Sequence, residues 1–461
     1  MARARHSWIL VIALCACGPG APASDDTGST SVATTSSTPA TTTTTTPAST
    51  SDATTAGHDA TTGLPTTGDP TPDTSTGTPG ECFPGNVELV GVDAPAQLAA
   101  LQGVPCIEGS LLIGDSPLVD LAGLESLRTI GGDLIIEGTA LTSLAALGGL
   151  ESVGVSVEVL LNPALTTVDL ANLTSIGGHI VVSDNSSLLT VGLDHLTGVT
   201  NLSVTQNLVL QSLAGLHDLE TAGSIFIATN PAMQSLAGLE SLVSVDMLSL
   251  EDVPDLATLT GLDKLETVGE LHIRHLDALQ DLTGLGALTS VTSLVIQENA
   301  ALQDLTGLGA LTSAATIEVV VNPALQGFAG LDALDSVSGS LLVSSNPALA
   351  HLTGLDALTT VGNLQISAND TLQDLTGLTA LVAVESLTVN SNPKLIDVTA
   401  LLVAGGGLLT TVFSLNFIDN TALPTCAAEA VRDATQPIDS CIVNNRFDAC
   451  TSGDDCFIRA P

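Results

Sequence analysis

In a chain of 461 residues, 49 Asp and Glu face only 9 Lys and Arg, for a formal net charge of −40. Nucleic acid is disfavoured as a partner, because a phosphate backbone would be repelled, and the acidity points to a solvated surface or a basic partner. Tyr is absent and the one Trp, Trp8, sits at the N-terminus, so the main aromatic platforms for stacking on sugars are missing from the rest of the chain.

Arg3 and Arg5, followed by an apolar run from Trp8 to Leu14, predict an export signal over residues 1–16; the run is too short to span a bilayer. Leu14-Cys15-Ala16-Cys17 resembles a bacterial lipobox. That resemblance implies cleavage before Cys17 and lipid on Cys17. With Gly18 in place of Asp, it also implies sorting to the outer membrane of a Gram-negative envelope. Several acyl chains would anchor the protein stably there, whereas one alone would not. An ordinary cleaved signal that yields a soluble secreted protein is the alternative. Residues 17–80 are built from Thr, Ser, Pro, Gly, Ala and a few Asp, too polar and small to form a core. They predict a disordered tether, with an end-to-end distance of roughly 45 Å.

Removing Cys15 with the signal and committing Cys17 to lipid leaves six cysteines: Cys82 and Cys106, then Cys426, Cys441, Cys450 and Cys456. An even set placed at the two ends of a long cysteine-free stretch fits disulfides formed in an oxidising compartment. Residues 81–106 accordingly read as an N-cap.

Over residues 107–423 the chain repeats with a period of 23, as in "LVIQENAALQDLTGLGALTSVTS" at 294–316. Repeats of this length mean stacked units, each unable to bury its own apolar face. The pattern is L-x-I-x-x-N-P-x-L-x-x-L-x-G-L-x-x-L-x-x-V-x-G. Its asparagine slot falls on Asp115, Gly138, Asn162, Asn185, Asn207, Asn230, Val253, Leu276, Asn299, Asn322, Asn346, Asn369, Asn392 and Asn420. L-x-I alternates with period two, so two side chains point inward from a short strand and the one between points out. The apolar residues at spacing three suit tight 3₁₀-like turns. A Gly eight places after the slot fits a bend that a Cβ would obstruct. The slot amide can bond turn backbone and the next Asn, as buried turn groups require. Val253 and Leu276 interrupt the ladder together, which lets two apolar side chains pack on each other where a lone replacement would leave an amide unpaired.

These features predict a mainly β, right-handed parallel solenoid of about fourteen 23-residue rungs with one continuous sheet, spanning roughly 65 Å at about 4.8 Å per rung. The pattern resembles leucine-rich repeats, and more closely the receptor L domain of insulin- and EGF-receptor ectodomains. The opening "ECFPGNVELV", with Cys106 just before I-x-G-x-L-x-I, is similar to the start of an L domain. By that resemblance Cys82 pairs with Cys106. Residues 424–461 predict a C-terminal cap. Pro424 sits at a first helical position, Ala427, Ala430, Val431 and Ala434 share one face, Cys426 points inward, and "DSCIVNNRFDAC" reads as a last strand. The pairing of the four cysteines there is open. A cysteine metal site is disfavoured because no C-x-x-C knuckle is present.

No P-loop, G-x-S-x-G or H-E-x-x-H motif occurs. The sequence therefore reads as a non-enzymatic protein that needs no cofactor and no resident metal, its sheet displayed for recognition of a protein. A polysaccharide-active β-solenoid enzyme and a purely structural envelope protein are the alternatives. An interrupted row of acids (Asp120, Asp281, Asp304, Asp374, Asp397) offers oxygens of the kind Ca²⁺ takes, yet the repeat lacks the G-G-x-G-x-D signature of calcium-binding β-rolls.

The outward sheet positions are mixed in chemistry, as a protein-binding face can be. They carry His272 between Ser249 and Val295. Two columns on, Arg274 lies between Glu251 and Gln297, and His275 lies between Asp252 and Glu298. Glu251, Asp252, His272, Arg274, His275 and Glu298 form the candidate ligand patch. The competing readings are plain cross-rung charge pairing, worth roughly 0.2–1 kcal/mol per pair, and a metal site using His275, Asp252 and Glu298, or His272.

Overall fold

The structure is a computed structural model that describes residues 80–402, 409, 412–446 and 455–458, within one compact unit, Pro72–Pro461. The signal, Cys17, the tether up to residue 79, and Cys450 lie outside the described residues.

The repeat makes one large sheet of 17 strands. It begins with Val87–Val90 in the N-cap, passes through the fourteen repeat strands in chain order, and continues with Asp439–Val443 in the C-cap. Every pairing up to that point is parallel, and only the last strand, Asp455–Ile458, runs antiparallel. The cause is the predicted alternation. In the strand Thr267–Arg274, Leu271 and Ile273 are fully buried while His272 between them is half-buried. From Gly198–Thr205 onward most rungs contribute a strand of eight residues. In the first rungs, four-residue strands such as Leu134–Glu137 stand apart from a small four-stranded sheet holding Cys106–Ile107, Thr129–Ile130, Ser152–Val153 and Ser175–Ile176. Glycine permits the bend between the two: a Cβ on Gly131 would overlap the Glu108 carbonyl of the preceding rung.

The turns close as chained i→i+3 bonds, as the apolar spacing of three requires: Leu279 N–H donates to Leu276 O (3.1 Å), Leu285 to Leu282 (3.2 Å) and Leu288 to Leu285 (3.0 Å). The recurrent glycine is held left-handed in seven of the eight predicted positions, with φ from 103° at Gly330 to 121° at Gly307. Gly215 is outside that set. A Cβ there would still meet the Val191 carbonyl.

The asparagine ladder is buried, and it runs from rung to rung on both sides of Val253 and Leu276. Asn185 donates its backbone N–H to Asn207 Oδ1 (3.2 Å) and its Nδ2 to the carbonyls of Val159 (2.9 Å) and Ser183 (3.0 Å). Each amide thus ties two strands and two turns together. The first two copies correct the sequence reading by one residue. Asp115 and Gly138 have positive φ (41° and 63°), as does Leu161 (57°), the residue just before the ladder. The ladder position is instead held by Ser116, whose buried hydroxyl has no partner, and by Thr139, whose N–H and Oγ1 donate to Asn162 Oδ1 at 3.0 and 2.6 Å. The turn to the next leucine is one residue shorter in those rungs, and counting back from the leucine displaces the slot.

The interruption also differs in detail from expectation. Asn230 keeps both Nδ2 partners, Val204 O (2.8 Å) and Ala228 O (3.0 Å), so no side-chain amide is stranded. The loss falls on the backbone N–H groups of Asn230 and Val253, whose next-rung neighbours, Val253 and Leu276, carry no side-chain oxygen. Leu276 N–H rejoins the ladder at Asn299 Oδ1 (3.0 Å).

At the N-terminus Cys82 is bonded to Cys106. A short helix, Ala94–Ala100, which the sequence reading missed, covers the first rung with buried Ala94 and Leu98. At the other end the helix Thr425–Thr435 forms with Pro424 as its N-cap. Its buried stripe is Ala428, Val431 and Thr435, spaced three and four apart. Ala430 is exposed and Ala427 only partly buried, so the predicted face was turned by one residue. Cys441 bonds Cys456, its cross-strand partner in the antiparallel pair, and Cys426 is itself disulfide-bonded. Among the described residues no helix is long and apolar enough to cross a membrane.

Candidate functional site

Three neighbouring strands, Ser244–Glu251, Thr267–Arg274 and Ser290–Gln297, position the patch. The parallel register aligns Ser249, His272 and Val295 in one column and Glu251, Arg274 and Gln297 in another, as the 23-residue spacing predicts. One residue further on, the chain leaves each strand through a left-handed residue: Asp252 (φ 54°), His275 (53°) and Glu298 (58°). Asp and His are among the residue types that tolerate this conformation best.

His275 reaches both neighbours. Its Nε2 lies 2.5 Å from Glu298 Oε2 and its Nδ1 lies 3.4 Å from Asp252 Oδ1. The first contact is a hydrogen bond. The second is a close approach without a hydrogen bond, since Nδ1, shielded from solvent, has no hydrogen-bond partner. Glu298 also accepts from Gln297 Nε2 (2.7 Å). The hydrogen bonds from Gln297 and His275, with the nearby Arg274 charge, hold the Glu298 carboxyl below its ordinary value.

His272 does not join this group. Its nearest carboxylate is Glu270, 3.9 Å away in its own strand. Burial, reinforced by the Arg274 guanidinium, keeps its imidazole below the ordinary histidine value. Arg274 departs from the expected cross-rung pair. It stands beside Glu251 in register, yet among the described residues no carboxylate comes within 4.0 Å of it, and its buried Nε is unpartnered. Register fixes where a long side chain starts, not where its head goes.

The outward face is shallower than its chemistry suggested. Ser249 and Val295 are only 3% and 7% exposed, and Val181, Phe226 and Leu342 are partly covered by their rung neighbours. The acid row also has a structural role. Asp281 accepts the Thr283 N–H (2.9 Å), Asp304 that of Thr306 (2.9 Å), and Asp397 that of Thr399 (2.8 Å), so each carboxylate caps its own turn. A second acidic column caps the glycine bends, as where Asp332 accepts the Gly330 N–H (3.1 Å).

Sequence reasoning singled out one basic cluster and passed over several histidine–carboxylate pairs. His179 lies 3.2 Å from Glu158, His195 3.5 Å from Asp218, His217 3.5 Å from Asp194, and His351 2.9 Å from Asp374. Three of these pairs are 23 residues apart, so the period itself carried the signal. His275 differs from the other four in having carboxylates of both neighbouring rungs, together with Glu251, around its ring.

No protein-family profile matches this chain, and no curated protein matches it. Among solved structures, a leucine-rich-repeat protein of Leptospira interrogans shares 16% identity over 75% of this chain and 97% of its own, with a TM-score of 0.26. A leucine-rich-repeat protein from Bacteroides ovatus shares 13% identity over 72% of this chain and 87% of its own, with a TM-score of 0.17. TLR13 in its complex with ssRNA13 shares 14% over 71% and 79%, with a TM-score of 0.14. The chain's own strand register defines its class: a parallel β-solenoid of rungs mostly 23 residues long whose buried positions are mainly leucine.

Proposed function

We propose that this protein is a non-enzymatic recognition module, anchored to the outer membrane through lipid on Cys17 and held outward on the tether of residues 17–80, and that its solenoid binds a protein. The observation that carries this reading is the uninterrupted parallel sheet, which lines up its outward side-chain columns across more than a dozen rungs on one frame. Such a frame suits an extended partner surface better than a small substrate. The patch around Arg274 and His275 is the proposed centre, since it gathers a free guanidinium head and carboxylates in an otherwise shallow face.

The test uses the full chain. Immobilised protein is challenged with envelope and extracellular protein fractions, side by side with a His272→Ala/His275→Ala variant of matched thermal stability. Retention of a discrete protein by the wild type and not by the variant supports recognition through the patch; repeated failure to retain any protein removes it. Lipid labelling with radioactive palmitate, abolished by Cys17→Ser, tests the anchor separately.

A further inference from the structure

We infer that Glu251, Asp252 and His275 form a binding site for a divalent metal ion of the zinc class, with Glu298 orienting the histidine. This does not depend on protein recognition by the sheet.

One nitrogen and one oxygen from each carboxylate of this trio lie within 4.8 Å of one another. Tetrahedral zinc holds N and O donors at about 2.0–2.2 Å, which places neighbouring donors about 3.3–3.5 Å apart. The His275 Nδ1 to Asp252 Oδ1 separation is 3.4 Å. That is long for a charge-assisted hydrogen bond, and the pair lacks hydrogen-bond geometry. It is the right length for two donors on one ion.

The ring orientation agrees: Glu298 is hydrogen-bonded to Nε2, so the edge turned toward Asp252 is Nδ1, 3.4 Å from Oδ1, shielded from solvent and without a hydrogen-bond partner. A carboxylate on the far nitrogen of the imidazole is the usual support of a metal-bound histidine, fixing the tautomer and raising ligand basicity.

Backbone rigidity does the rest. Asp252 and His275 occupy the same left-handed position in adjacent rungs, and Glu251 is the last residue of a strand whose register with the next is fixed. The donors are therefore held close to binding geometry before any ion arrives. Glu251, Asp252 and Glu298 against Arg274 leave two negative charges, which a dication cancels. A nitrogen donor and only two carboxylates select zinc-like ions over Ca²⁺, which takes six to eight oxygens. The fourth coordination position is left for water or for a ligand brought by another molecule.

The experiment is a titration of the full chain with Zn²⁺ against a chromophoric chelator at neutral pH, with Co²⁺ as the spectroscopic probe. The expected result is one saturable site that His275→Ala and, independently, Asp252→Asn remove, while His217→Ala leaves it intact. Glu298→Gln weakens it about 10–100-fold. Bound Co²⁺ gives the intense visible bands of a tetrahedral ion, absent in His275→Ala. Melting curves without metal confirm that both ligand variants fold; Asp252 is exposed and serves if His275→Ala does not. The inference is overturned if wild type and both variants titrate alike. It is equally overturned if NMR finds the His275 ring doubly protonated at neutral pH with Zn²⁺ present, because a proton then fills the gap.

Discussion

Replacing Asn322 with Leu tests whether the buried amide ladder stabilises the stack. Asn322 is fully buried. Its Oδ1 accepts both the backbone N–H and the Nδ2 of Asn299, each at 3.1 Å, and its Nδ2 donates to the carbonyls of Ile296 (3.1 Å) and Val320 (3.2 Å). Leucine keeps the number and branching of the side-chain heavy atoms and removes every one of these bonds. Asn299 Nδ2 retains Ile273 O (3.1 Å), and Val320 O retains the Glu298 N–H (3.1 Å). The Asn299 backbone N–H loses its acceptor outright. A stranded buried donor costs about 1–3 kcal/mol, while loss of the other bonds is offset by no longer desolvating the amide. Equilibrium urea unfolding should report that loss. Hydrogen exchange should place it at Asn299, accelerated about 5- to 150-fold, a factor of ten for each 1.4 kcal/mol, because repeats couple only to their neighbours. In the unaltered protein the same reasoning makes the Asn230 amide, which faces Val253, exchange faster than that of Asn207. A variant within about 0.5 kcal/mol of wild type, or equal exchange at Asn207 and Asn230, would refute the reasoning.

Cys82→Ser opens a link of sequence separation 24 and should cost about 3 kcal/mol by loop entropy, seen as a lower urea midpoint under non-reducing conditions and erased when both proteins are reduced. Gly307→Ala forces a side chain onto φ 121° and its Cβ onto the Leu282 carbonyl; a loss of at least about 1–3 kcal/mol in thermal or urea unfolding is expected. At Asp374, burial pushes the carboxyl up, but hydrogen bonds from His351 and Thr376 outweigh it and the net shift is downward. A depressed carboxyl pKa contributes stability that is present above the unfolded value of about 4 and is lost as pH falls through the lower folded value. Unfolding curves across that acid range should therefore flatten in Asp374→Asn, and an unchanged pH slope would contradict the assignment.

The strands and the ladder were legible because burial writes them into residue type: an apolar pair flanking one outward residue, then an asparagine. What residue type does not encode was missed. The left-handed position before the ladder is filled by Gln206, Thr229, His275, Val321, Ser345 and Ala368 alike, since adjacent rungs impose the conformation and no local preference announces it. The helix Ala94–Ala100 escaped because seven residues with Pro95 at the start give too few turns for a periodic signal. The patch was legible in its columns and not in its contacts. His275, short and rigid, meets both neighbours, whereas Arg274, long and flexible, does not take the partner its column offers.

The ladder break falls on the rungs that carry the patch, and the two are mechanically connected. In most asparagine rungs the ladder amide bonds the carbonyl two residues earlier, as Asn322 Nδ2 does to Val320 O. At Val253 and Leu276 that tie is absent from the carbonyls of Glu251 and Arg274, which keep cross-rung bonds from the Thr229 (3.0 Å) and Asp252 (3.2 Å) N–H groups. The turns that present Glu251, Asp252, Arg274 and His275 thus rest on backbone bonds where most other rungs add a side-chain tie. Those cross-rung backbone bonds, and the apolar packing of the fully buried Val253 and Leu276 beneath, keep the stack closed and hold these turns in register.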